Sequence, residues 1–233
     1  MTRSAFFSFF YEVFKKALLV LVFVNTAPLL GQSSVAVLEY GGGGDWYANP
    51  TSLPNLVKFA TKEGGLDIHS AVGSVSAQSI SLFSYSFLHM TGHGSVSFSA
   101  DEAAALRTYL QRGGFLHIDD NYGMDPFVKK AMESVLPRAK WILLPKQHDL
   151  FRGPFSFPSG LPKIHEHDGK SPEAWGLFIG NRMVVLYTKE CDLGDGWEDP
   201  EVHQDPHEVR LRALQMGTNI LHFVFRGQIP WTN

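Results

Sequence analysis

Apolar positions along the chain switch repeatedly between two spacings. Residues 35–40 (VAVLEY) form a short apolar run that ends in four glycines at 41–44. Leu53, Leu56, Val57 and Ala60 then recur at i, i+3, i+4 and i+7, which places them on one face of a helix. Residues 87–90 (FLHM) read as a buried strand running into Thr91-Gly92-His93-Gly94. Further strands are predicted at 115–119, 141–144, 177–179 and 183–187, the last two flanking Gly180-Asn181 as the tight turn of an antiparallel hairpin. The small, polar stretch 70–77 matches neither period.

Helix starts are marked by capping chemistry. Ser99 with Glu102 makes a capping box ahead of Ala103, Leu106 and Leu110, and Gly113 is the stop. Asp125 is expected to cap a helix with Pro126 at its first position, continuing to about Leu136. Asp205 and Glu208 repeat the box around Pro206. The helix that follows presents Ala213, Met216, Gly217, Ile220, Leu221 and Val224 on one face. Strands alternating with helices predict a layered α/β fold with an antiparallel hairpin towards its C-terminus.

The start of the chain follows a different pattern. Arg3, Lys15 and Lys16 precede an apolar run at 17–24, which Asn25, Thr26 and Pro28 interrupt before Gly31. A spanning helix needs roughly 20 mostly apolar residues, so this layout reads as a cleaved signal peptide over 1–31. The alternative is an uncleaved N-terminal membrane anchor, lengthened by the Phe-rich residues 6–14. The first reading implies a periplasmic or secreted protein, one α/β domain over 32–233, and no membrane span after cleavage. At 44% hydrophobic residues, that length suffices for one packed core. A net charge of −3 gives no electrostatic reason to expect nucleic acid. Cys191, the single cysteine, excludes an intrachain disulfide and is expected as a small buried residue. Its acidic neighbours Glu190 and Asp192 would raise the thiol pKa, which argues against a thiolate nucleophile.

Candidate chemistry gathers at the strand ends. Open α/β sheets take ligands outside the carboxyl ends of their strands, and three such ends here carry GGGGDWY (41–47), TGHG (91–94) and DDNYG (119–123). Asp119, Asp120 and His93 are the candidate acid/base groups, and they are expected to converge with Asp45 in one pocket. Gly42, Gly43, Asp45, Trp46, Tyr47, Gly92, Asn121 and Tyr122 are candidate ligand contacts. The glycine run has neither G-x-x-x-x-G-K-[ST] nor G-x-G-x-x-G spacing, so no nucleotide is expected. Later in the chain, HEHD (165–168) and DLGDGWE (192–198) are dense in acids and histidines. Asp195 and Trp197 join the ligand contacts. His165, His167 and Asp168 are candidate ligands for a divalent metal, with simple hydrogen-bonded ordering of loops as the alternative. No G-x-S-x-G elbow is present.

The strings GGGGDWYANPTSLPNL, FLHMTGHG, GGFLHIDDNYGMD, LPKIHEHDG and DLGDGWEDPEVHQDPHEVR resemble the bacterial family called domain of unknown function 4159, over nearly all of the chain after residue 31. That family is similar in fold to the class I glutamine amidotransferase-like superfamily. The resemblance implies a flavodoxin-like, doubly wound three-layer sandwich around a mostly parallel central sheet, but no reaction. Glutaminase activity is not expected, because the strand ends carry no cysteine elbow. Three functions follow as expectations. One is a domain binding an unknown small molecule, sugar or peptide through contact aromatics Trp46, Tyr47, Tyr122 and Trp197. A second is a hydrolase-like enzyme, metal-assisted or not, using Asp119 or Asp120 with His93. The third is a structural subunit whose partners are other envelope proteins.

Overall fold

The computed structural model describes residues 33–227; the expected signal over 1–31 lies outside them. Within them, β1 (Val35–Glu39), β2 (Gly73–Ser76), β3 (Phe87–His93), β4 (Phe115–Tyr122) and β7 (Arg182–Lys189) run parallel. β6 (Glu173–Ile179) and the two-residue β5 (Ile142–Leu143) extend the sheet antiparallel. The full order is β2-β1-β3-β4-β7-β6-β5. Its parallel part, taken alone, has the 2-1-3-4-5 order of a doubly wound flavodoxin-type sheet.

Both faces are covered. α1 (Ser52–Lys62) and α6 (His207–Phe225) pack on one side, where Leu53, Leu56, Val57 and Ala60 meet Ala213, Met216, Ile220 and Leu221 over Phe87 and Phe115. The periodicity named both helix faces, and each large aliphatic side chain so buried stabilises the fold by about 1.5–3 kcal/mol. α2 (Ala100–Gln111) and α3 (Asp125–Val135) cover the other side, with Leu106, Leu110, Val128 and Met132 over Leu88, Leu116 and Ile118. Two short helices, α4 (Leu193–Trp197) and α5 (Pro200–His203), link β7 to α6. No helix among the described residues is long and apolar enough to cross a membrane.

Caps sort into local and long-range cases. The Ser99 box forms as expected: Glu102 N donates to Ser99 Oγ at 3.2 Å, and Ser99 N donates to Glu102 Oε2 at 2.7 Å. The other two do not. Asp125 lies inside the first turn of α3, while Met124 occupies the cap and donates its N–H to Asp120 Oδ1 at 2.9 Å. The Asp125 carboxylate is drawn off by Lys129 and Lys189. α6 begins at His207 with Pro206 as its cap, and Asp205 turns instead to His165. The unplaced stretch 70–77 contains β2, an edge strand. β4 extends to Tyr122, beyond the expected end at Asp119, because its backbone goes on pairing with β3, Asp120 against Gly92 and Tyr122 against His93.

Candidate functional site

Because β1, β3, β4 and β7 are parallel, the turns after all four leave from one edge of the sheet. At that edge the glycine run lies against the exit of β3. Gly41 bridges Ser97, and Gly44 N donates to Ser95 O at 3.0 Å. A Cβ at Gly44 would stand 2.6 Å from Ser95 O, and one at Gly42 would stand 2.8 Å from Ser97 N. Gly42 and Gly44 are therefore required by backbone-to-backbone packing, while a Cβ at Gly43 would meet nothing within 4 Å. Asp45 accepts from His93 N at 2.5 Å, and its other oxygen lies 3.1 Å from His93 Nδ1, a partly exposed pair on the rim. Gly92, at φ +134, leaves no room for a side chain beside Tyr40 and Asp45. Trp46 packs onto the core of the α2/α3 side, with Tyr47 exposed against its edge.

Successive side chains of a strand point to opposite faces, and this sorts the DDNY end of β4 into two groups. Asp119 and Asn121 face the α1/α6 side; Asp120 and Tyr122 face the other. The expected convergence of His93, Asp45, Asp119 and Asp120 is thus split. Asp45 and Asp120 both act on Tyr40, whose hydroxyl pKa is raised by burial first and then by these two carboxylates. Asp119 stands on the other face. It is fully buried, accepting from Thr188 Oγ1 at 2.5 Å and Gly194 N at 2.6 Å. Burial raises its carboxyl to about 7, with Asp192 and Asp195 adding to the rise and those two hydrogen bonds opposing it. Asp120 is also raised by burial, against hydrogen bonds from Met124 and Tyr187.

On the Asn121 side a polar network ties five segments together. Thr91 Oγ1 donates to Asn121 Oδ1 at 2.9 Å, and Asn121 Nδ2 donates to both Asn49 Oδ1 and Asp195 Oδ1. Asn49 Nδ2 donates to the same Asp195 oxygen at 2.7 Å. The second Asp195 oxygen lies 3.0 Å from His165 Nδ1, and His165 Nε2 lies 3.1 Å from Asp205 Oδ1. His203 Nε2 approaches Asp195 Oδ1 at 3.8 Å. Burial pushes the Asp195 carboxyl up, but hydrogen bonds from His165 and Asn49 outweigh it and hold the pKa low. His165 is raised to about 10 by hydrogen bonding to Asp192 and then Asp195. Asp192 sits in the left-handed region at φ +52, one of its oxygens shared between His165 and His167.

Of the expected metal ligands, His165 belongs to this network, while His167 hydrogen-bonds Asp192. Asp168 turns away, accepting from Tyr122 Oη and Lys170 Nζ. Among the described residues, the group with metal-ligand spacing is His165, Asp195 and His203. Asn49, Thr91, Asp192, His203 and Asp205 were not singled out as site residues from sequence, although the density of acids and histidines across 192–207 marks the region. Trp197, expected at a ligand surface, is fully buried. Its Nε1 donates to Ala213 O, and its ring presses on the stacked pair His89 and His117. Cys191 is buried too, its thiol pKa raised by burial first and then by Asp119 and Asp192.

On the Tyr122 side a cleft of about 320 Å³ opens between the ends of β4 and β7 and the 165–170 loop. Asp120, Tyr122, Asp125, His167, Asp168, Lys170, Lys189 and Glu190 line it. Tyr122 is 49% exposed and stacks on His167 with centroids 4.7 Å apart. A second cavity of about 370 Å³ is lined by Arg107, Leu136, Phe178 and Ile179. It lies at the amino edge of the parallel strands, away from the strand-end turns, so the rim cleft is the better ligand candidate.

A family model described as Domain of unknown function (DUF4159) matches residues 34–225. No curated protein matches the chain.

Proposed function

We propose that this chain, which belongs to the DUF4159 family, is a binding domain holding a small hydroxyl-rich ligand of the sugar class in the cleft beside Tyr122. The observation that carries this reading is the chemistry of the cleft wall: carboxylates of Asp120, Asp125, Asp168 and Glu190 beside the amines of Lys170 and Lys189, around a half-exposed tyrosine ring. Carboxylates accept hydroxyl hydrogens and ammonium groups donate to hydroxyl oxygens. A tyrosine face offers apolar area for the C–H face of a sugar ring while its polar tip stays wet. The volume sits at the low end of the roughly 300–1,000 Å³ typical of small-molecule sites.

Action outside the cytoplasm follows from the basic-then-apolar start of the chain. The 2-1-3-4-5 strand order supports placing the domain beside the class I glutamine amidotransferases by fold, without their chemistry, since Cys191 is buried and its thiol held protonated. The burial of Asp119 behind Thr188 and Gly194 weighs against its use as a base on a bound substrate.

The test is a thermal-shift screen of the untagged chain against mono- and oligosaccharides, with Tyr122→Ala alongside. A saccharide should raise the wild-type Tm, and the variant should bind it at least about tenfold more weakly, equivalent to about 1.4 kcal/mol. A screen without a saccharide hit, or a hit indifferent to the loss of Tyr122, defeats the reading.

A further inference from the structure

We propose that His165, Asp195 and His203 bind a divalent transition-metal ion of the zinc class at the rim, on the opposite side of the Asp192–His167 pair from the cleft. One donor atom of each of the three lies within 4.8 Å of the others. His165 Nδ1 is 3.0 Å from Asp195 Oδ2, and His203 Nε2 is 3.8 Å from Asp195 Oδ1. Donors held about 2.1 Å from a tetrahedral ion stand about 3.4 Å apart. The observed separations bracket that span, so small side-chain rotations admit an ion.

The surroundings are those a ligand set needs. A ligating histidine ordinarily gives its other ring N–H to a carboxylate, and His165 Nε2 faces Asp205 at 3.1 Å. The Asp195 carboxylate is fixed by the amides of Asn49 and Asn121. Asp192 supplies an independent observation. Its side chain is fully buried with one oxygen 3.4 Å from His165 Nδ1, and the other, Oδ1, has no hydrogen-bond partner among the described residues. A buried carboxylate left short of donors is costly, and a cation held at His165 Nδ1, 3.4 Å from the other oxygen of the same carboxylate, offsets that cost through its charge. Two imidazole nitrogens favour a transition metal over magnesium or calcium, and calcium calls for six or more oxygens. His203 is partly exposed, which leaves one side of the site open to water.

This inference does not depend on the sugar reading, and separate variants tell their failures apart. The untagged full chain is stripped with chelator and titrated with Zn²⁺ by calorimetry and with Co²⁺ by visible absorption. One equivalent should bind, with a cobalt d–d band. His203→Ala, at a partly exposed position, should keep the far-UV spectrum and lose more than about 100-fold in affinity. Should that variant fail to fold, Asp205→Asn serves instead, with an expected loss of about 10–100-fold. His69→Ala, an exposed histidine elsewhere, should leave metal affinity unchanged. Absence of stoichiometric uptake by the wild type, or uptake equal in wild type and the His203 or Asp205 variant, overturns the site.

Discussion

The imidazole of His165 has carboxylate oxygens at both ring nitrogens, so in the metal-free chain both must donate and the ring is held as a cation. Its folded pKa of about 10 stands above the roughly 6.5 of an unfolded histidine. The folded state therefore binds this proton more tightly, and the resulting stability is complete below about pH 6.5 and is lost as pH rises through about 10. Chelator-treated protein should show a falling urea midpoint across that window, and His165→Gln should flatten the slope. A wild-type midpoint that holds level between pH 6.5 and 10 would contradict the ion-pair account. Asp119 acts in the same direction at lower pH. Its raised folded value of about 7 means that its contribution is present below about pH 4 and fades as the carboxyl ionises.

At the scale of elements, α1, α4 and α6 interlock through side chains that are absent. A Cβ at Gly217 of α6 would stand 2.5 Å from Leu56 Cδ1 and 2.8 Å from Trp197 Cε2, and one at Gly196 would meet Ala213 Cβ at 2.4 Å. On an exposed helix, glycine to alanine gains about 1 kcal/mol. Here overpacking reverses the sign, and Gly217→Ala should destabilise by about 1–3 kcal/mol in urea unfolding. A stabilised variant would mean that the helices part more easily than their packing implies. The 3.6-residue period placed Gly217 on the buried face of its helix, yet nothing in the period distinguishes a glycine that must stay small from one that is merely tolerated. Caps divide the same way. Ser99 was legible because both halves of its box lie three residues apart. Asp125 and Asp205 were misread because each spends its carboxylate on a partner the local pattern does not contain, Lys189 for one and His165 for the other. The pair Asp119-Asp120 looked convergent because the strand was ended at Asp119. Its extension to Tyr122 imposes the two-residue alternation and sends the neighbours apart.

For the molecule as a whole, the alternation of strand and helix carried the layered fold, the family resemblance implied its mostly parallel sheet, and parallelism gathers the strand-end turns at one edge. What the alternation could not supply was the second group of site residues. Asn49, Asp195, His165 and His203 belong to loops and short helices brought together by tertiary contacts, Asn49 meeting Asp195 across 146 residues of chain and His165 meeting it across 30. The described residues 33–227 contain two packed cores and the seven-stranded sheet between them. A chain beginning at Gln32 should accordingly unfold in one cooperative transition with the far-UV spectrum of the full chain. Failure to fold from that start would assign the first residues a part in the domain itself.

In a doubly wound sheet of this order the customary crevice opens between β1 and β3, where connections depart to opposite sides. Here the chain is its own tenant of that crevice: residues 41–45 lie along the exit of β3 on one side, and Gly194 nestles among Asn49, Thr91 and Asp119 on the other. Any guest molecule must therefore be received farther along the rim, beside β4 and β7. The side-chain-free backbone at Gly42 and Gly44 is what keeps the usual doorway shut.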